Sequence, residues 1–234
     1  MIDRLCLGTW QFALKHLSRE EMRSVIAHAL RLGISWFDTA EVYGDGEQES
    51  VLGEFPEARV ITKIPAMVKP EAYGLPLKKY YTEEYIRSMC ELSLSRLKRP
   101  VDILLLHNWT DDWNSCDELF LWIQELKREC LCSEIGISLP NAYQGAPPPF
   151  PFEWIMAPLN LHSDWIKQNC SNLQPESKIM VRSLFDRGRQ IPPEIEERRK
   201  YLKRASFADK IVIGMTRREV IEENIKLFLQ LGEL

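Results

Sequence analysis

The feature that most constrains this chain is an alternation. Eight short apolar runs, at residues 4–7, 34–37, 60–62, 103–106, 134–137, 154–157, 179–182 and 211–213, are separated by longer amphipathic or irregular stretches. Runs of this length, bounded by turn residues, suit strands buried on both faces. Strands alternating with helices predict a parallel sheet with right-handed crossovers.

The intervening stretches carry helix signals. Residues 19–32 place Met22, Val25, Ile26, Ala29 and Leu30 near a 3.6-residue period. Ser18 and Glu21 form a capping box, and Gly33 stands where a helix-ending glycine belongs. Residues 82–97 start at Thr82, with Glu83 and Glu84 at the positive end and Arg96 and Lys98 at the other. Residues 117–130 and 217–231 are predicted helices, the second stopping at Gly232. Residues 194–205 are helical but so charged that a surface position is expected. Residues 66–77 and 141–152 are loops, the latter because Pro147, Pro148, Pro149 and Pro151 exclude a long helix.

Eight β/α units in 234 residues are lean for a closed barrel. The rival, an open doubly wound sheet, would bring a glycine-rich dinucleotide loop after its first strand. Here that strand runs into Gly8-Thr9-Trp10-Gln11, with no G-x-G-x-x-G. The expected fold is therefore a (β/α)8 TIM barrel spanning 1–234 as a single domain.

The bulk numbers narrow the function classes. Hydrophobic residues make up 45% and charged residues 27%, an ordinary globular balance. A net charge of −4 gives no footprint for nucleic acid or an anionic membrane. No leader-like start and no long apolar run are present, so a cytoplasmic protein is expected. Cys6, Cys90, Cys116, Cys130, Cys132 and Cys170 are then reduced thiols. No metal site is expected: Cys130 and Cys132 lack a second ligand pair, and His16, His28, His107 and His162 are scattered.

In such a barrel the active site lies at the carboxyl ends of the strands. The second run leads to Asp38 and then Tyr43, the third to Lys63, the fourth to His107. Taken singly, each has an ordinary structural role: a cap, a solvated amine, a packing ring, a satisfied imidazole. Together at neighbouring strand ends they suggest proton donation to a carbonyl. A free phenol titrates near pH 10, and a lysine cation beside it makes it a better acid. Asp38 would hold Lys63, and His107 would orient the carbonyl oxygen. The hydride must come from a cofactor.

At these residues the sequence resembles the aldo-keto reductases. Leu7-Gly8-Thr9-Trp10 is similar to their first-strand motif. Residues 33–44 with Glu49-Ser50-Val51-Leu52-Gly53 are similar to their strongest signature, and Ser95-Arg96-Leu97 leading to Asp102 and His107 to another. Gly136-Ile137-Ser138 resembles the fifth strand end. The resemblance implies carbonyl reduction by hydride transfer, with Asp38, Tyr43, Lys63 and His107 as the catalytic set. It implies NADP(H) as the favoured cofactor, with NAD(H) possible. Cofactor contacts are expected from Thr9, Trp10, Asp38, Ser138, Arg182, Ser183, Gly214, Arg217, Glu223 and Asn224. Substrate contacts are expected from Trp10, Tyr43, His107 and Trp109, and the partner is a small carbonyl compound.

The sequence departs from the family pattern at the nicotinamide site. Leu139 stands where an asparagine is usual, Met156 where a glutamine is usual, and Arg182 where a tyrosine often stacks. Gly214, Met215 and Val220 fall where a 2′-phosphate would be bound, leaving Arg217 and Arg218 as substitutes. The run at 4–7 and the last helix near Leu234 suggest no long amino-terminal hairpin or carboxyl-terminal loop, hence an open cleft for a bulky carbonyl. The alternative function is a catalytically weak or inactive nucleotide-binding or regulatory barrel of the same family.

Overall fold

The computed structural model describes residues 2–68, 75–186, 191–192 and 194–230. Eight parallel strands close into a barrel in chain order. They are β1 (Leu5–Gly8), β2 (Trp36–Asp38), β3 (Arg59–Ile64), β4 (Val101–His107), β5 (Cys132–Ser138), β6 (Trp154–Pro158), β7 (Lys178–Arg182) and β8 (Lys210–Gly214). β1 closes the ring on β8, with Gly8 opposite Gly214. Every predicted run is a strand, shifted by a residue or two at its ends.

The helices are α1 (Trp10–Leu14), α2 (Arg19–Arg31), α3 (Glu47–Leu52), α4 (Glu83–Leu97), α5 (Asp117–Arg128), α6 (Trp165–Asn169), α7 (Ile195–Arg204) and α8 (Arg218–Gln230). The capping box at Ser18 and Glu21 is formed, Thr82 accepts from the Tyr85 N–H, and Gly33 has φ +90° after α2. α7 lies on the surface as its charge predicts, with Leu202 its one buried side chain. α1, α3 and α6 were not predicted; five or six residues are too few to show a helical period. The predicted loop at 141–152 is irregular, with no regular element between β5 and β6. Residues 69–74 of the loop after β3, and Leu231 and Gly232 after α8, lie outside the described residues.

Side chains alternate along each strand, and this parity places the site. Cys6, Trp36, Ile61, Ile103, Leu105, Trp154, Met156, Met180 and Val212 form one buried cluster inside the barrel. Their neighbours of opposite parity, such as Leu5, Leu7, Val60, Leu104 and Ile137, face the helices in a second, larger core. Two residues beyond an inward side chain, the next inward position lies at the mouth. Asp38 follows Trp36, Lys63 follows Ile61, His107 follows Leu105 and Arg182 follows Met180.

At the opposite end, residues Ile2–Arg4 make a 3-10 turn under the barrel. The Lys210 ammonium sits 3.9 Å from the Trp36 ring centre and donates to the Asp3 carbonyl. Burial lowers its pKa, and the aromatic faces offset part of that cost. Among the described residues no helix is long and apolar enough to cross a membrane.

Candidate active site

At the carboxyl ends of the strands lies a cleft of about 410 Å³, within the usual range for small-ligand sites. Trp10, Asp38, Tyr43, His107, Arg182, Ser183 and Gly214 all line it, so seven residues named from the sequence meet there. Lys63 lies just beneath, 1% exposed at its side chain, with its Nζ 5.0 Å from the Tyr43 ring centre.

Lys63 and Asp38 form a buried ion pair at 2.5 Å. Nζ also donates to the Thr39 carbonyl at 2.6 Å. A buried ammonium needs such partners, since an unpaired one would be neutralised. Two bonds fix the amine in direction as well as charge. The Tyr43 and His107 rings meet edge to face, their centres 6.4 Å apart. His107 titrates well below an ordinary imidazole; burial is the main cause, and the Lys63 and Arg182 cations add to it. At neutral pH the ring is therefore uncharged, with one N–H to donate.

A nicotinamide dinucleotide can be tested against these residues. Ser138 Oγ is fully buried with no hydrogen-bond partner among the described residues, and Ser138 pairs in register with His107. Ser138 does not itself line the cleft, and a polar ligand group reaching it would satisfy that hydroxyl. The cleft shares Gln11, Ser183, Val212 and Gly214 with a smaller adjoining hollow, lined also by Leu184, Phe185, Ile191 and Ile213. The two together suit a long ligand whose reactive end lies in the mouth.

The remaining sequence-named residues are placed differently. Thr9 is buried and tied to Asp38, donating to its carbonyl through both backbone N–H and Oγ1. Arg182 lines the cleft but donates to Asn141 Oδ1 and the Leu139 carbonyl, both at 2.7 Å, so it also clasps the loop after β5. Leu139 and Met156 are fully buried in the two cores and offer no amide. Arg217 is exposed, Glu223 pairs with Arg198, and Asn224 is buried with its amide donating to Val220 one turn back. None of these three lines the cleft.

Trp109, expected at the substrate pocket, is not there. It is fully buried, its indole donates to Asn114, and it packs edge to face on Trp113, Phe150 and Phe152. Strand parity alone would turn Trp109 inward, two residues beyond His107, but β4 ends at His107 and Asn108 turns at φ +57°, which sends the Trp109 side chain away from the cleft. The structure also brings in residues that sequence reasoning missed. Gln11, Val42, Asn108 and Asn141 line the cleft. Asn108 directly follows His107 and could have been found from that alone; Asn141 lies in the proline-rich loop, whose path no pattern specifies. Among the described residues no group of three or more metal-type ligands gathers.

A sequence profile described as the aldo/keto reductase family matches residues 4–145. The uncharacterized oxidoreductase YqkF of Bacillus subtilis is 31% identical over 119 residues, 49% of this chain and 39% of that protein. A Glycine max protein named "Probable aldo-keto reductase 1" is 30% identical over 136 residues, 57% of this chain and 39% of that one. The chain thus spans about two fifths or less of the curated relatives it matches. Among solved structures, a holo-form aldo-keto reductase of Bacillus halodurans superposes with a TM-score of 0.74 at 20% identity, covering 96% of this chain and 86% of the other. A glycerol dehydrogenase of Gluconobacter oxydans gives 0.69 at 20% identity, with the same coverage. At that identity the likeness concerns the fold.

Proposed function

The chain belongs to the aldo/keto reductase family, and from that premise we propose that it reduces an aldehyde or ketone to an alcohol with a nicotinamide cofactor. The observation that carries this reading is the convergence of Tyr43, the Lys63–Asp38 pair and a neutral His107 at one mouth. A bound reduced nicotinamide supplies the hydride. Ser138, Arg182, Ser183 and Gly214 are the residues that would hold its reactive end.

Tyr43 gives its phenolic proton to the substrate oxygen. The Lys63 ammonium, fixed by Asp38 and the Thr39 carbonyl, stabilises the negative charge left on the ring. His107, uncharged, donates its N–H to the same oxygen and sets the carbonyl's direction. Trp10 and Val42 supply apolar walls on the substrate side. NADP(H) is favoured over NAD(H) on account of Arg217, whose guanidinium has no hydrogen bond or ion pair among the described residues and stands just before the start of α8. The six free thiols suit a reducing, cytoplasmic setting.

The test is direct. NADPH and NADH are titrated by fluorescence, and carbonyl compounds are screened by loss of nicotinamide absorbance. Tyr43→Phe should keep dinucleotide binding and lose about 10²–10⁴-fold in turnover. Equal turnover by this variant would remove Tyr43 as proton donor. A second reading, a nucleotide-binding barrel without efficient turnover, draws on Leu139 and Met156, whose buried apolar side chains withhold two amide contacts. Tight dinucleotide binding with no turnover on any carbonyl would favour it.

A further inference from the structure

Tyr43 is followed by an unusual piece of backbone. Gly44, Asp45 and Gly46 have φ of +56°, +52° and +80°, three successive residues in the left-handed region. Glycine enters that region freely, and Asp45 is the one residue of the three for which it costs something. Against this turn lies Arg96, from the last turn of α4.

Arg96 touches this loop on several sides. Its Nη1 pairs with Glu49 Oε2 at 3.1 Å, after the tyrosine, and lies 3.7 Å from Glu41 Oε1, before it. Its guanidinium lies on Gly46 so closely that a Cβ there would fall 2.0 Å from Cζ. A Cβ on Gly53 would fall 2.2 Å from the Arg96 carbonyl oxygen. Both glycines thus permit one close approach, between the tyrosine segment and the end of α4.

Glu49 carries the connection inward. Its side chain is 0% exposed, and besides Arg96 it accepts from Thr62 Oγ1 at 2.6 Å and Ser93 Oγ at 2.8 Å. Thr62 is the residue before Lys63 on β3. The segment bearing the phenol is therefore pinned to the strand bearing the ammonium through one buried carboxylate.

We propose that Arg96 and Glu49 are positioning residues that set Tyr43 against Lys63, and that neither touches substrate. This rests on the reading of Tyr43 as proton donor. The guanidinium gathers the two ends of the loop, and Glu49 transmits that position to β3. The charged and titratable groups about the phenol are Lys63 from β3, Asp38 from β2, His107 from β4 and Arg182 from β7, with Glu41 and Asp45 on its own loop. Of these, Lys63 lies over the ring at 5.0 Å, and the clamp governs that spacing.

One test requires no substrate. Tyr43 is titrated by ultraviolet absorbance, as the difference between protein with Tyr43 and protein with Tyr43→Phe, in wild-type and Arg96→Lys backgrounds. Lysine keeps the charge and loses the planar fork. The expected result is a higher titration midpoint in Arg96→Lys, because the phenol is less closely held beside the ammonium. An unchanged or lower midpoint overturns the proposal. With a carbonyl substrate, Arg96→Lys should lower kcat about 10- to 100-fold while dinucleotide affinity is kept. That loss should vanish in the Tyr43→Phe background; an equal loss there means that Arg96 acts on the fold alone, and the proposal fails. Thr62→Val, which removes only the hydroxyl that Glu49 accepts from, serves should Arg96→Lys not fold. It should raise the same midpoint, and an unchanged midpoint again overturns the proposal. Full turnover by Tyr43→Phe itself would instead remove the proton-donor reading.

Discussion

Replacing Lys63 by methionine isolates the ion pair at the base of the cleft. Its partners are 1% and 5% exposed at their side chains and 2.5 Å apart, and the Asp38 carboxylate has no second side-chain or backbone donor among the described residues. Lys63→Met leaves that carboxylate buried and unpaired. Asp38→Leu leaves the ammonium with the Thr39 carbonyl alone. Breaking a buried pair in this way costs about 3–5 kcal/mol. At about 2–4 °C per kcal/mol for a chain of this size, either variant should melt about 6–20 °C lower. Removing both charges together takes away the desolvation penalty along with the attraction, so the double variant should be no less stable than either single one. Urea unfolding at neutral pH, followed by far-ultraviolet circular dichroism, measures all three. A double variant that loses the sum of the two single losses would refute the reasoning, since the two charges would then be acting independently. All three should lack turnover, which separates what the pair does for catalysis from what it does for stability.

Other consequences follow from single groups. His107 is held below its ordinary imidazole value, so the unfolded chain takes up a proton first as pH falls. Below about pH 6.5 this costs the folded state up to about 1.4 kcal/mol per pH unit, until its own titration is reached. His107→Gln should abolish that slope, checked by urea midpoints at pH 7 and pH 5; an identical slope in the variant would contradict it. Ser138→Ala deletes a buried hydroxyl that has no partner among the described residues, so stability should hold or rise while dinucleotide affinity falls about 2- to 10-fold. A less stable variant with unchanged affinity would show that the hydroxyl serves the fold. Arg217→Ser should weaken NADPH about tenfold and leave NADH unchanged; equal effects on both dinucleotides would place the 2′-phosphate elsewhere.

The eight runs fixed the number of strands, because an apolar run of three or four residues flanked by turns has few other ways to bury itself. Caps at Ser18 and Thr82 and the glycine after α2 were legible for the same reason: each satisfies its own local backbone. The gathering of Asp38, Lys63 and His107 was readable in outline, since each lies at the carboxyl end of a strand. Only closure of the barrel showed why they converge, through an inward parity shared with Trp36, Ile61 and Leu105. Trp109 marks the limit, because a left-handed residue at Asn108 diverts a side chain that linear reasoning leaves in the pocket. The clamp of Arg96 on Gly46, Gly53 and Glu49 belongs wholly to the tertiary structure. Its members are more than 40 residues apart along the chain, and no local preference of either segment could have disclosed that a guanidinium and a buried carboxylate would meet behind the tyrosine.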